Sequence, residues 1–184
     1  MRTLSTQSTC SSGTTERAKR VLLAFGYLAT CATVPLVAIW PAGDPHPQTT
    51  AMILAAYNGN VAAIDEILRG GLDVDSRDEW GITPLIAAAR TGHIGAVHKL
   101  LAAGARIDAC ASVSGTPLME ATISGNHDVM RELIDRGANV DAASSGGQTA
   151  LWWARVGGDE DAVRILIAGG ARAEGRAASP ARER

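Results

Sequence analysis

The sequence predicts an all-α solenoid of four helix-turn-helix units, preceded by a hydrophobic N-terminal helix. Three observations carry this. A threonine followed by Pro or Ala recurs every 33 residues, at Thr50-Ala51, Thr83-Pro84, Thr116-Pro117 and Thr149-Ala150. Two glycines recur in the same register, at Gly59, Gly92, Gly125 and Gly158 and at Gly71, Gly104, Gly137 and Gly170. Between them an apolar triplet repeats with helical i, i+3, i+4 spacing: Ile64, Ile67, Leu68; Val97, Leu100, Leu101; Met130, Leu133, Ile134; Val163, Leu166, Ile167. A fixed period of this length is the mark of a stacked repeat architecture.

The chain begins with a polar stretch rich in serine and threonine, and residues 1–20 read as a disordered basic N-terminus. Arg17, Lys19 and Arg20 precede VLLAFGYLATCATVPLVAIW, residues 21–40, which carries no charge. Twenty helical residues rise about 30 Å, the thickness of a bilayer's hydrocarbon core. Nine of them are Val, Leu, Ile or Phe. These favour insertion by about 3 to 5 kcal/mol. The segment therefore reads as a transmembrane anchor, with a cleaved signal peptide as the alternative. Cleavage sites lie around Ala29–Ala32 and near Pro41–Ala42–Gly43. A lipoprotein signal ending at Cys31 ranks third. The basic cluster stays cytoplasmic, and the rest crosses the membrane. The expected location is the periplasmic side of a bacterial inner membrane, or the periplasm or exterior after cleavage. Residues 41–48 read as a short stiff linker.

The repeats follow within 49–175, at about 44–76, 77–109, 110–142 and 143–175. In each, threonine caps a short first helix rich in small residues: Ala55 and Ala56, Ala88 and Ala89, Ala121, Ala154. Glycine turns the chain, the apolar triplet marks a second helix, and the second glycine ends it in the left-handed conformation. Neither helix can bury its stripe alone, so stacking buries it against the next unit. Residues 176–184 read as a disordered tail. Asp159, Glu160 and Asp161 fall in the first turn of the last helix, where they suit its dipole.

These motifs, best seen in DEWGITPLIAAARTGHIGAVHKLLAAGARIDA at 78–109, resemble the ankyrin repeat. TPLMEA and TALWWA resemble variants found in bacterial members. The resemblance implies short β-hairpin-like fingers between the helix pairs. It also implies protein binding through the fingertips and the exposed face of the first helices. Carried over by position, the binding residues are Tyr57, Asn58, Glu79, Trp80, Ile82, Arg90, Thr91, Val113, Ile123 and Gln148, with Ser112, Ser145 and Val156 beside them. The family's inter-repeat histidine is replaced by Ile53, Ile86, Met119 and Trp152, so apolar burial must replace that polar tie. Ser114 stands where a turn glycine is expected, with Gly115 one residue late. Trp152 and Trp153 are expected to cover the open end of the stack. His93 is expected to act as a turn and capping residue, and Glu120 to accept bonds from finger amides.

Nothing in the sequence points to chemistry. No His pair has i, i+4 spacing, and no H-E-x-x-H, C-x-x-C, G-x-S-x-G or phosphate-binding glycine loop occurs. No cofactor or metal is expected. The net charge of −2 argues against phosphate neutralisation and hence against nucleic acid. Hydrophobic residues make up 46% and aromatics only 4%, so the core must be aliphatic and alanine-rich. Of the three cysteines only Cys110 lies in the repeats, which precludes a disulfide within them. The expected function is a non-enzymatic, monomeric interaction module of the cell envelope with one protein partner. The alternative is an accessory, immunity or chaperone-like factor that modulates an envelope enzyme or toxin.

Overall fold

The computed structural model describes residues 47–111 and 115–172. The expected membrane segment at 21–40, the linker up to residue 46, Ser112, Val113, Ser114 and the tail lie outside them. Eight helices occur among the described residues: α1 (Pro47–Tyr57), α2 (Val61–Arg69), α3 (Pro84–Thr91), α4 (Ile94–Ala102), α5 (Pro117–Ile123), α6 (His127–Asp135), α7 (Ala150–Gly157) and α8 (Glu160–Ala168). None of these is long and apolar enough to cross a membrane. The inner helices pack in the order α1, α3, α5, α7, and the outer helices in the order α2, α4, α6, α8. Each pair of inner and outer helices forms one layer of a solenoid.

Local sequence explains the inner helices. Thr83, Thr116 and Thr149 are extended, and their hydroxyl oxygens accept from the amides of Ile86, Met119 and Trp152 at 3.3, 3.4 and 3.3 Å. Pro84 and Pro117 occupy the first helical turn, and proline there disfavours a helical residue before it. The first repeat departs from this pattern. Thr50 lies inside α1, because Ala51 imposes no such block and the helix runs back to Pro47. Thr149 stays extended without proline, since the finger just before it is closed by Ser144 N donating to Gln148 O at 2.9 Å. Gly92 ends α3 with φ 77°, in the left-handed region that glycine adopts without a Cβ clash.

The core is the predicted set of small and aliphatic side chains. Ile86 and Met119, which stand in place of the polar tie, are buried, as are Ala56, Ala88, Ala89, Ala121 and Ala154 between layers. Ile64, Val97, Leu100, Met130, Leu133 and Leu166 are fully buried on the outer helices. Each such Leu or Ile contributes roughly 1.5–3 kcal/mol of transfer free energy. At the end of the stack burial is lost: Leu101 and Ile134 are half-buried, whereas their equivalent Ile167 is 49% exposed. Trp152 and Trp153 stand edge to face at this end, with ring centroids 4.8 Å apart, and both are half-buried.

Polar ties between repeats do exist, at positions other than the family's histidine. Asp75, Asp108 and Asp141 each accept, through Oδ1, the backbone N–H of a residue in the next repeat: Arg106, Asn139 and Arg172, at 3.0, 3.0 and 2.9 Å. Asn126 donates from Nδ2 to Ala89 O and Arg90 O at 3.1 and 3.0 Å. His127 Nε2 and Asp159 Oδ2 are 2.7 Å apart. His93 corrects an expectation. It occupies the N-cap position of α4, yet its side chain makes no capping bond, and its ring lies over Gly59 of the preceding repeat.

The second and fourth fingers are tight turns. Among the described residues there is no strand; Ala111 and Gly115 form an isolated antiparallel bridge, and Gln148 also lies in a bridge. In the second finger Asp78 Oδ1 accepts from Ile82 N at 2.8 Å, and in the fourth Ser144 Oγ accepts from Gln148 N at 3.2 Å. Ala111, the equivalent residue, has no such acceptor, so Gly115 N donates to Ala111 O at 3.3 Å instead. The positive φ also moves, from Gly81 and Gly147 in those fingers to Gly115 in the third.

Candidate interaction face

The candidate face is built from one register position of the inner helices. Tyr57, Arg90, Ile123 and Val156 are spaced by 33 residues and lie at the C-terminal ends of α1, α3, α5 and α7. Tyr57, Ile123 and Val156 are 45%, 49% and 63% exposed. One turn earlier stands Leu54, also exposed, whose equivalents are Ala87, Glu120 and Trp153. Trp80 projects from the second finger at 38% exposure, next to exposed Glu79.

Arg90 is the only member of the row that carries charge. Its Nε donates to Glu120 Oε2 at 2.7 Å, with the Arg side chain 29% and the Glu side chain 6% exposed. The partner expected for Glu120, a set of finger amides, is therefore replaced by a guanidinium from the preceding inner helix. The reason is geometric: Glu120 lies in the first turn of α5 and points along the inner-helix layer toward the end of α3. A buried carboxylate requires such a partner, because removal from water without one is costly.

The second finger holds a further carboxylate, Asp78, near Arg90. Asp78 accepts from the amides of Trp80 and Ile82 at 3.0 and 2.8 Å. Burial nevertheless pushes its carboxyl above the ordinary value of 3.8, outweighing those two bonds and the nearby charge of Arg90.

The sequence-predicted residues divide into three groups. Tyr57, Asn58, Glu79, Trp80 and Ile123 are exposed. Ile82, Arg90, Thr91 and Gln148 are half-buried and engaged within the chain. Ile82 packs against the core, and Thr91 Oγ1 donates to Ala87 O at 3.1 Å. Gln148 bonds Ser144 within its own finger. Val113 lies outside the described residues. Leu54 was missed. Its signal was available: a large apolar residue stands where the next repeat has alanine.

An open cleft of about 310 Å³ lies elsewhere, at the helix turns of the second and third repeats, walled by Gly92, Gly125, Asn126 and His127 among others. None of the exposed face residues lines it.

A family model described as ankyrin repeats in three copies matches residues 36–111 and again 95–176. No curated protein matches the chain significantly. The two matches together span about three quarters of the sequence and coincide with the layers described above, and so the chain belongs to the ankyrin-repeat family.

Proposed function

We propose that the chain is a non-enzymatic binding module that docks one protein partner on the face formed by its inner helices and fingers. Ankyrin repeats are generally protein–protein interaction modules, and the family is typically non-enzymatic. The observation that carries the reading here is the exposed apolar row Tyr57, Ile123 and Val156, with Leu54 and Trp80 beside it. Aromatic and apolar side chains presented together on one surface mark an interaction site, and Trp and Tyr dominate binding energy when buried there. The test replaces Trp80 and Tyr57 with alanine and measures recovery of partner by the full chain. The reading requires recovery to fall at least tenfold. Unchanged recovery by a folded variant discards it.

The module is proposed to work in the cell envelope, held by or released from a membrane. The charge-free run 21–40 behind Arg17, Lys19 and Arg20 supports this. Alkaline extraction of membranes, with N-terminal sequencing of the mature chain, decides it. An intact chain retained in the membrane pellet fits an anchor, and a soluble chain starting near residue 43 fits cleavage. A soluble chain with an intact N-terminus refutes both.

A further inference from the structure

We infer that the partner segment seated on this face carries a carboxylate flanked by apolar side chains, and that Arg90 receives it. The inference rests on the docking reading above and adds the chemistry of the ligand.

The charge on the inner layer is unbalanced in a specific way. Helices α1, α3, α5 and α7 together carry three charged residues: Arg90, Glu120 and Arg155. Glu120 is the one carboxylate, and it is buried and spent on Arg90 Nε. Arg155 is exposed at the open end of the stack, in no ion pair among the described residues. The floor therefore shows arginine and no carboxylate to an incoming chain, although the protein as a whole has net charge −2. Asp78, on the neighbouring finger, turns its Oδ1 onto the amides of Trp80 and Ile82. Glu79, exposed at that fingertip, has the same sign as an incoming acid and disfavours its seating at the tip.

The geometry of Arg90 suits this role. Guanidinium offers five N–H donors in a planar fork. Glu120 holds it through Nε, and the η nitrogens make no hydrogen bond among the described residues. A guanidinium fixed on one edge by a buried acid has little rotamer entropy left to lose on binding. Tyr57 and Ile123, the same register position one layer to either side, supply exposed apolar contacts flanking it. An arginine between two apolar residues matches an acid between two apolar residues.

The test pans a random linear peptide library on the immobilised full chain. The inference expects enrichment of Asp or Glu next to Leu, Ile, Val or Phe. An enriched acidic peptide should then lose about tenfold in affinity for Arg90→Gln/Glu120→Gln, and for the wild type at high salt. The double variant removes both charges while keeping two groups able to hydrogen-bond, so neither charge is left buried alone. Peptides that are basic, or indifferent to the double variant, overturn the inference. If those peptides still lose affinity for Ile123→Ser, the docking face survives and only its chemistry is wrong. If no selected peptide responds to Ile123→Ser, the face itself is wrong and the inference falls with it.

Discussion

His127 in the third repeat and Asp159 in the fourth meet at 2.7 Å, while the other carboxylate oxygen of Asp159 accepts from Ala162 N at 2.9 Å. One side chain thus caps α8 and ties it to the layer beneath. The Ala162 amide first, and His127 second, hold its carboxyl below the ordinary value of 3.8. A folded value depressed in this way contributes stability that is full above 3.8 and is lost as pH falls through the lower folded value. Asp159→Asn keeps a good cap and removes the charge. The wild type should therefore unfold at higher denaturant than Asp159→Asn at about pH 5, with the gap closing in stronger acid. A gap that widens in acid contradicts the assignment.

The rung formed by Asp108 and the Asn139 amide isolates one inter-repeat hydrogen bond. Asp108→Ala should cost about 1 kcal/mol, and Asp108→Asn, which keeps an acceptor, should recover most of it. Equilibrium urea unfolding of the two variants checks this. Equal losses mean that the carboxylate charge, not the acceptor, holds the layers.

Gly92 and Gly125 are equivalent by period and alike in conformation, with φ of 77° and 70°. They differ in surroundings: a methyl group at Gly92 would overlap the Asn126 side chain, and one at Gly125 meets nothing. Alanine at either should cost about 1–2 kcal/mol for the left-handed backbone. Gly92→Ala should cost about 1 kcal/mol more, because Asn126 must leave the Ala89 and Arg90 carbonyls. Equal costs from denaturant midpoints contradict the close packing of Asn126 on the turn.

Ser76 Oγ is buried with no hydrogen-bond partner among the described residues. The next two repeats place Ala109 and Ala142 at this position. Ser76→Ala should therefore stabilise the chain by about 1 kcal/mol, raising the denaturant midpoint with an unchanged slope. A lower midpoint indicates that the hydroxyl is satisfied.

Period and helix pattern made the layers legible in the sequence because equivalent residues stack on each other, and stacking of like on like preserves register. The polar ties were not legible for the converse reason. Most of these bonds join residues that are not equivalent by period, although Arg77 Nη1 donates to Cys110 O, 33 residues on, at 2.8 Å. Arg90 and Glu120 are 30 apart, Asp75 and Arg106 are 31 apart, and His127 and Asp159 are 32 apart, none of which the 33-residue comparison aligns. Thr50 failed as a cap for a local reason, the missing proline after it. On the candidate face Tyr57, Trp80 and Ile123, positions the family pattern implies, are exposed. That pattern could not tell that Thr91 and Gln148 turn their polar atoms inward, since that choice depends on carbonyls and hydroxyls a few residues away.

The claim that a protein partner seats on the inner-helix face is tested most directly by site-specific photo-crosslinking in cells. A photoreactive amino acid replaces Tyr57 or Ile123 on that face, or Arg69 or Arg164 on the outer helices, whose side chains are 72% and 74% exposed. The account predicts one discrete adduct of common size from positions 57 and 123, and none from 69 or 164. Adducts from the outer positions, with none from the inner ones, contradict it.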